Sequence, residues 1–203
     1  MVRNRTMMKS LHHKTLCEDS TRCSIANADW LLMFRKKGEN KVPVSHDVGL
    51  MSYAGENQPP QHLMKYRGYV GDQKKNAFSQ YIWRQYASSV WMDIRIDHVL
   101  EYRSAKEGED EKHVHPLQRD VIARAVVMWS NPGERVLTPF MGVGSEVYES
   151  VINGRNAIGI ELKTSYFKQA VLNLESSGDE SAQPVVAPTL FNMDDELEPI
   201  ETM

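Results

Sequence analysis

A chain of 203 residues, 41% of them hydrophobic, is long enough to bury one sizeable core, so one main domain is expected. Two cysteines, Cys17 and Cys23, make neither a disulfide framework nor a zinc-ligand set, and no stretch approaches the roughly 18 consecutive apolar residues of a membrane span. The net charge of −3 hides an uneven split: residues 1–75 hold 13 Lys and Arg against 7 Asp and Glu, whereas residues 76–203 hold 11 against 20. A basic front half can meet a polyanion by counterion release, although an ordinary solvated surface has the same composition. The N-terminus is basic with no apolar run behind it, which is not the pattern of a secretory leader; a reducing, cytoplasmic setting is expected.

In chain order, residues 1–41 read as a polar helical start followed by one strand, Asp29 to Phe34, closed by Arg35-Lys36-Lys37-Gly38. Residues 42–80 are rich in Pro, Gly, Asn, Gln and Lys and keep no period, which predicts a functional loop or a mobile insert. Residues 81–175 are the periodic, foldable part. From Pro116, the apolar positions Leu117, Val121, Ile122, Ala125, Val126 and Trp129 have helical spacing, and Asn131-Pro132-Gly133 ends that helix. A strand is expected over Arg135–Phe140, a helix over Ser145–Ile152 stopping at Asn153-Gly154, and a second strand over Asn156–Glu161. Thr164-Ser165 then caps a last helix carrying Tyr166, Phe167, Ala170, Val171 and Leu174. Near-continuous apolar strands alternating with helices predict parallel pairing, an α/β arrangement. Residues 176–203, with few bulky apolar residues and many carboxylates, predict a disordered acidic tail.

The chemistry concentrates at Thr138-Pro139-Phe140-Met141-Gly142-Val143-Gly144-Ser145, where the first of these strands gives way to a helix. Glycines there permit a tight turn and close approach of a ligand. Glu161 lies 19 positions after Gly142 at the end of the next strand, a placement from which a carboxylate can accept both hydroxyls of an adenosine ribose. A dinucleotide fingerprint would place a third glycine where Val147 stands. A nucleoside cofactor without phosphates, such as S-adenosylmethionine, therefore fits better than a nicotinamide dinucleotide. A tight turn beside a surface glutamate remains the plain structural reading.

The segments His113-Val114-His115-Pro116-Leu117-Gln118, Asn131 to Ser145, Gly154-Arg155 and Gly159-Ile160-Glu161-Leu162 resemble the cofactor-binding end of the N4-cytosine/N6-adenine DNA methyltransferases. The order, with the Pro-x-Gln helix before the glycine loop, is similar to the permuted arrangement in which the catalytic motif precedes both. Phage and prophage DNA methylases carry stretches similar to Trp83–Ser88, Val90–Ile94 and Asp29–Leu31 with Arg35–Asn40, so the resemblance covers about residues 15–175. It implies a Rossmann-like, S-adenosylmethionine-dependent methyltransferase fold acting on DNA. Carried over, Pro116 and Gln118 would line the methionine side, Phe140, Met141, Gly142, Gly144 and Ser145 would form the loop, and Glu161 would hold the ribose. Thr138 stands where the common pattern has Asp, which removes a negative charge near the sulfonium. Lys65, Arg67, Lys74 and Lys75 fall where the family inserts its target-recognition segment and are the candidates for phosphate contacts.

Transfer to an exocyclic amine requires a flipped base and hydrogen-bond acceptors on that amine. The family supplies them from an (Asp/Asn/Ser)-Pro-Pro-aromatic loop, and this sequence has no such tetrapeptide. The nearest run, Asn57-Gln58-Pro59-Pro60-Gln61, has an extra residue and no aromatic, so no catalytic residue is assigned. The N-terminal residues resemble the interior of a longer member, so the fold is expected to be N-terminally incomplete. Its sheet would then have an open apolar edge that invites an upstream catalytic half or another copy of the chain. A non-catalytic cofactor- or DNA-binding protein is the second reading. The histidines at 12, 13, 113 and 115 are joined by no Cys, Asp or Glu at ligand spacing, so no metal is expected. Trp83, Tyr86 and Trp91, near Arg84 and Arg95, have the spacing of half-buried core residues more than of a base-stacking platform.

Overall fold

In the computed structural model the described residues are 10, 12–24, 29–106 and 116–179. The expected acidic tail lies outside them from residue 180 onward, as does His113-Val114-His115. The helices are α1 (His13–Glu18), α2 (Ala77–Tyr86), α3 (Arg119–Trp129), α4 (Ser145–Ile152) and α5 (Thr164–Glu175), and the strands are β1 (Arg135–Thr138) and β2 (Asn156–Gly159). β1 and β2 pair in parallel with Leu137 opposite Ile158 and Thr138 opposite Gly159. The run β1–α4–β2–α5 is a Rossmann-like unit, and α3 packs on α4 ahead of it.

Each boundary has a local cause. Asn76 starts α2 by accepting from the Ser79 N–H at 3.1 Å, and Gly154, in left-handed backbone at φ +76°, closes the turn after α4. The periodic helix predicted from Pro116 begins at Arg119, with Gln118 as its cap residue, because the three residues before it stay extended. Both strands are shorter than the apolar runs imply. Extended pairing nevertheless continues past them: Ile160 N–H donates to Thr138 O at 3.0 Å, and Met141 N–H donates to Ile160 O at 2.9 Å. Those two bonds lay the glycine loop across the end of β2.

One expectation is corrected. Asp29–Phe34 forms no strand; the segment is extended, and its apolar side chains face solvent, Trp30 at 84% and Phe34 at 88% exposure. A strand needs a neighbouring edge and a face to pack on, and no described segment runs beside this one. Residues 42–76, the greater part of the stretch expected to be a functional loop or a mobile insert, have no helix longer than a short 3-10 turn and no strand, and part of them packs on α2. Leu50 joins Phe78, Ile82 and Tyr86 in a core cluster, and the short 3-10 turns lie at Gln61–Tyr66 and Gln73–Lys75. Leu50 N–H donates to Ser79 Oγ and Ala54 N–H to Tyr86 Oη, both at 2.8 Å. A second cluster (Leu100, Ala105, Val143, Tyr148) and a third (Met141, Val147, Ala170) seat the glycine loop against α4 and α5.

Of the aromatic trio, Tyr86 is buried and Trp91 is half-buried, its Nε1–H donating to Tyr86 O at 3.0 Å; Trp83 is exposed. No helix among the described residues is long and apolar enough to cross a membrane.

Candidate functional site

β1 ends in buried Thr138, and the chain turns through Phe140, Met141, Gly142, Val143 and Gly144 into α4. Met141 and Val143 point into the core and fix the loop from below. Gly142 (φ +54°) and Gly144 (φ +91°) take the left-handed backbone that side chains disfavour. A β-carbon on Gly142 would meet nothing within 4 Å, so this backbone borders open space. The Glu161 carboxylate braces the loop: Oε2 accepts the Gly142 N–H and Oε1 accepts the Lys163 N–H, each at 2.8 Å.

Beside the loop lies a cavity of about 180 Å³. Of the nine cofactor positions expected from the sequence, Pro116, Phe140, Met141, Gly142 and Ser145 line it. Gln118 is buried as the cap residue of α3, and its neighbour Leu117 takes the lining place. Thr138, Gly144 and Glu161 are not among its lining residues; Glu161, half-exposed, bonds the loop backbone at Gly142. Ser145 is 3% exposed, and its Oγ has no hydrogen-bond partner. A buried hydroxyl left unpaired beside an open cavity is an acceptor and donor waiting for a ligand group. Together with backbone that no side chain covers at Gly142, it fits a polar nucleoside-type cofactor better than an apolar one.

Four further lining residues were not expected from the sequence. Tyr102 comes from a stretch without period, so nothing in the sequence pointed to it; Tyr166 carried the signature of a core-facing helical position. Val143 is the intervening residue of the Gly-x-Gly turn. Glu146, in the first turn of α4, was legible only as a helix-start acid, and burial pushes its carboxyl above the ordinary value.

Ion pairs fasten the start of α3 to its neighbours. Arg119, at the start of α3, stacks over the Tyr148 ring at 4.5 Å and bonds Glu149 on α4. Glu149 is raised by its burial, against the lowering effect of Arg119. Asp120 is wholly buried and gathers the Arg95 guanidinium, the Arg95 N–H and His98 Nδ1, the last two at 2.9 Å. The candidate phosphate contacts Lys65, Arg67, Lys74 and Lys75 are exposed on the segment before α2 and are not part of the cavity wall. Arg67 Nε donates to Met51 O at 2.9 Å, Lys75 Nζ lies 3.9 Å from Asp72, and Lys65 Nζ sits 5.0 Å over the Tyr66 ring. Asn57–Pro60 leads into the Gln61–Tyr66 turn, also away from the wall.

Comparison with known proteins gives this arrangement a family. DNA adenine methyltransferase YhdJ of Escherichia coli (strain K12) is 29% identical over 114 residues, which are 55% of this chain and 36% of that relative. A tRNA (guanine(10)-N2)-dimethyltransferase of Pyrococcus abyssi is 31% identical over 94 residues, 44% of this chain and 28% of the relative. The chain thus spans about a third of the length of these relatives. Among solved structures, a putative DNA modification methylase of Thermus thermophilus, complexed with S-adenosyl-L-methionine, overlaps 61% of this chain and 39% of its own at 21% identity and a TM-score of 0.36. The profile of the DNA methylase family matches residues 12–172, well over half of the chain and the whole of the glycine-loop region, and the protein belongs to that family.

Proposed function

We propose that the cavity beside Gly142 binds S-adenosylmethionine and that the protein serves methyl transfer to an exocyclic amino group of adenine or cytosine in DNA. The observation that carries this reading is the unpartnered, buried Ser145 Oγ beside a glycine turn that borders open space. S-adenosylmethionine supplies an electrophilic methyl group on a sulfonium. The chain's own residues bind and orient it. Pro116, Leu117, Phe140 and Met141 give the cavity apolar walls, Ser145 Oγ and the Gly142 backbone give it polar contacts, and Glu161 keeps the loop in place. The Glu161 oxygens each hold one backbone N–H and retain lone pairs for ribose hydroxyls. At about 180 Å³ the cavity is smaller than the roughly 300–1,000 Å³ typical of ligand pockets, so it takes one end of the cofactor with the rest along the exposed rim at Phe140.

Lys65, Arg67, Lys74 and Lys75 would meet DNA phosphates, and of these four Lys65 and Lys74 have no carbonyl or carboxylate partner among the described residues for their side-chain nitrogen. The second reading, a cofactor- or DNA-binding protein without chemistry, is favoured by one feature of the sequence: no (Asp/Asn/Ser)-Pro-Pro-aromatic run occurs in it. The two are separated by calorimetric titration of the full chain with S-adenosylmethionine, followed by transfer of labelled methyl to DNA. Binding that Ser145→Ala weakens about fivefold, the worth of one hydrogen bond of about 1 kcal/mol, is the expected result. Absence of binding by the folded wild-type chain would overturn the cofactor reading; binding without label in DNA would favour the second.

A further inference from the structure

Three carboxylates surround the glycine loop, and two are already satisfied. Glu161 is bonded to the Gly142 and Lys163 N–H groups, and Glu149 is paired with Arg119. Glu146 is different. It is half-buried, its withdrawal from water raises its carboxyl, and no Lys, Arg or His among the described residues pairs with it. It lines the cavity, and no Lys, Arg or His does so among the described residues. Lys106 and Lys163 lie over the Tyr102 and Tyr166 rings, at 4.8 and 4.6 Å. Ser145, whose buried Oγ has no hydrogen-bond partner, lines the same cavity one residue earlier. Even a half-buried carboxylate without a counter-charge is unfavourable, and a cation entering the cavity offsets that cost.

We propose that Glu146 is the charge-selecting residue of this cavity, favouring the cationic S-adenosylmethionine over its neutral thioether product, S-adenosylhomocysteine. The proposal rests on the cofactor reading above. Both ligands carry the same amino-acid and nucleoside groups, so shape and hydrogen bonding alone distinguish them weakly. The sulfonium charge is the difference, and it disappears when the methyl leaves. A carboxylate facing that charge holds the substrate form and loosens its grip on the product, which assists exchange. It also restores to the site the negative charge that Thr138 does not provide.

The test is calorimetric titration of the full-length chain with each ligand separately, for wild type, Glu146→Gln and Glu146→Asp, with thermal melting to establish that each variant folds. Glu146→Gln is expected to weaken S-adenosylmethionine about tenfold while changing S-adenosylhomocysteine less than about twofold, as removal of one partly screened charge pair predicts. Glu146→Asp keeps the charge and should keep most of the preference. Equal weakening of both ligands by Glu146→Gln, or none, would overturn the role of Glu146 while leaving the cofactor site intact. If Glu146→Gln does not fold, a Glu146→Asp protein with wild-type selectivity supports the proposal, and one whose affinities for both ligands fall equally overturns it. Failure of the wild-type chain to bind either ligand would overturn the cofactor reading and this proposal together.

Discussion

Gly142 and Gly144 stand two residues apart in the same left-handed backbone, and they are glycine for different reasons. A β-carbon on Gly144 would lie 3.0 Å from Ala170 Cβ, a side chain with no exposure, so the loop closes on α5 only without one. Gly144→Ala therefore combines backbone strain with a core clash and should cost about 2–4 kcal/mol, read as a lower denaturation midpoint. Gly142→Ala meets no clash and should cost only about 1 kcal/mol, with its effect concentrated on ligand binding. Similar losses of stability in both variants would refute this division. Asp120 yields the pH prediction. Burial alone would raise its carboxyl, but the hydrogen bonds from His98 and Arg95 outweigh burial and hold it well below the ordinary carboxylate range. A depressed folded value means that this stabilisation is complete above the unfolded value near 4 and is lost as pH falls below it. Denaturation curves from about pH 7 to about pH 3 should show wild type losing stability toward acid more steeply than Asp120→Asn, which starts about 2–3 kcal/mol lower. The cost is at the low end for a buried pair, because Arg95 and His98 can turn to solvent.

At the scale of elements, one side chain ties the segment packed on α2 to α3. Arg124, on α3 and fully buried, stacks its guanidinium against the rings of Tyr53, Tyr86 and Trp91 at 5.4, 4.7 and 4.9 Å. It also donates to Asp93 Oδ2 at 2.6 Å and to Ala54 O at 2.9 Å. The backbone at Gly55 passes so close that a β-carbon would touch Arg124 and Asp93 at 2.5 and 2.6 Å. Arg124→Met leaves Asp93 buried without its cation and should cost about 3–5 kcal/mol. Hydrogen exchange should then rise over residues 50–93 while β1, α4 and β2 stay protected; uniform loss of protection would show the two regions to be one cooperative unit. This junction was the least legible part of the sequence. The Ser145–Ile152 helix could be read directly, because apolar period, glycine turn and Asn-Gly stop agree there. The pairing of Arg124 with Tyr53, Tyr86, Trp91 and Asp93 joins positions up to 71 residues apart with no local period to announce them. Asp29–Phe34 failed for the opposite reason: its composition is that of a strand, but a strand is completed by a neighbour that local sequence does not encode. Within the site, the glycine loop and Glu161 were visible because turn chemistry is local. The partners of Glu161 were not, since backbone N–H groups look alike in any sequence.

At the scale of the whole molecule, the sheet of β1 and β2 has one face that the described residues cover and one that they leave exposed. Ala157, on the covered side, packs against Met141, Val147 and Ala170. Leu137 and Ile158 are register partners and so share the opposite face, where they are 62% and 45% exposed; Ile160, two residues on, is 50% exposed. Parallel sheets are ordinarily covered on both faces, so this stripe is a departure from what their chemistry favours. Leu162 at 96% and Phe140 at 86% extend the apolar surface toward the cavity rim. Exposed apolar side chains gathered on one sheet face bind hydrophobic dyes and promote association. The protein should therefore enhance the fluorescence of an anilinonaphthalene sulfonate probe while still folded, and should sediment faster as its concentration rises. Leu137→Lys with Ile158→Lys should reduce both effects and shift stability by less than about 1 kcal/mol, because neither side chain is buried. The same double variant should bind S-adenosylmethionine as wild type does, since neither residue lines the cavity. If dye binding and association persist undiminished in that variant, the adhesive surface lies elsewhere, and the exposed Trp30–Phe34 segment is the next place to substitute.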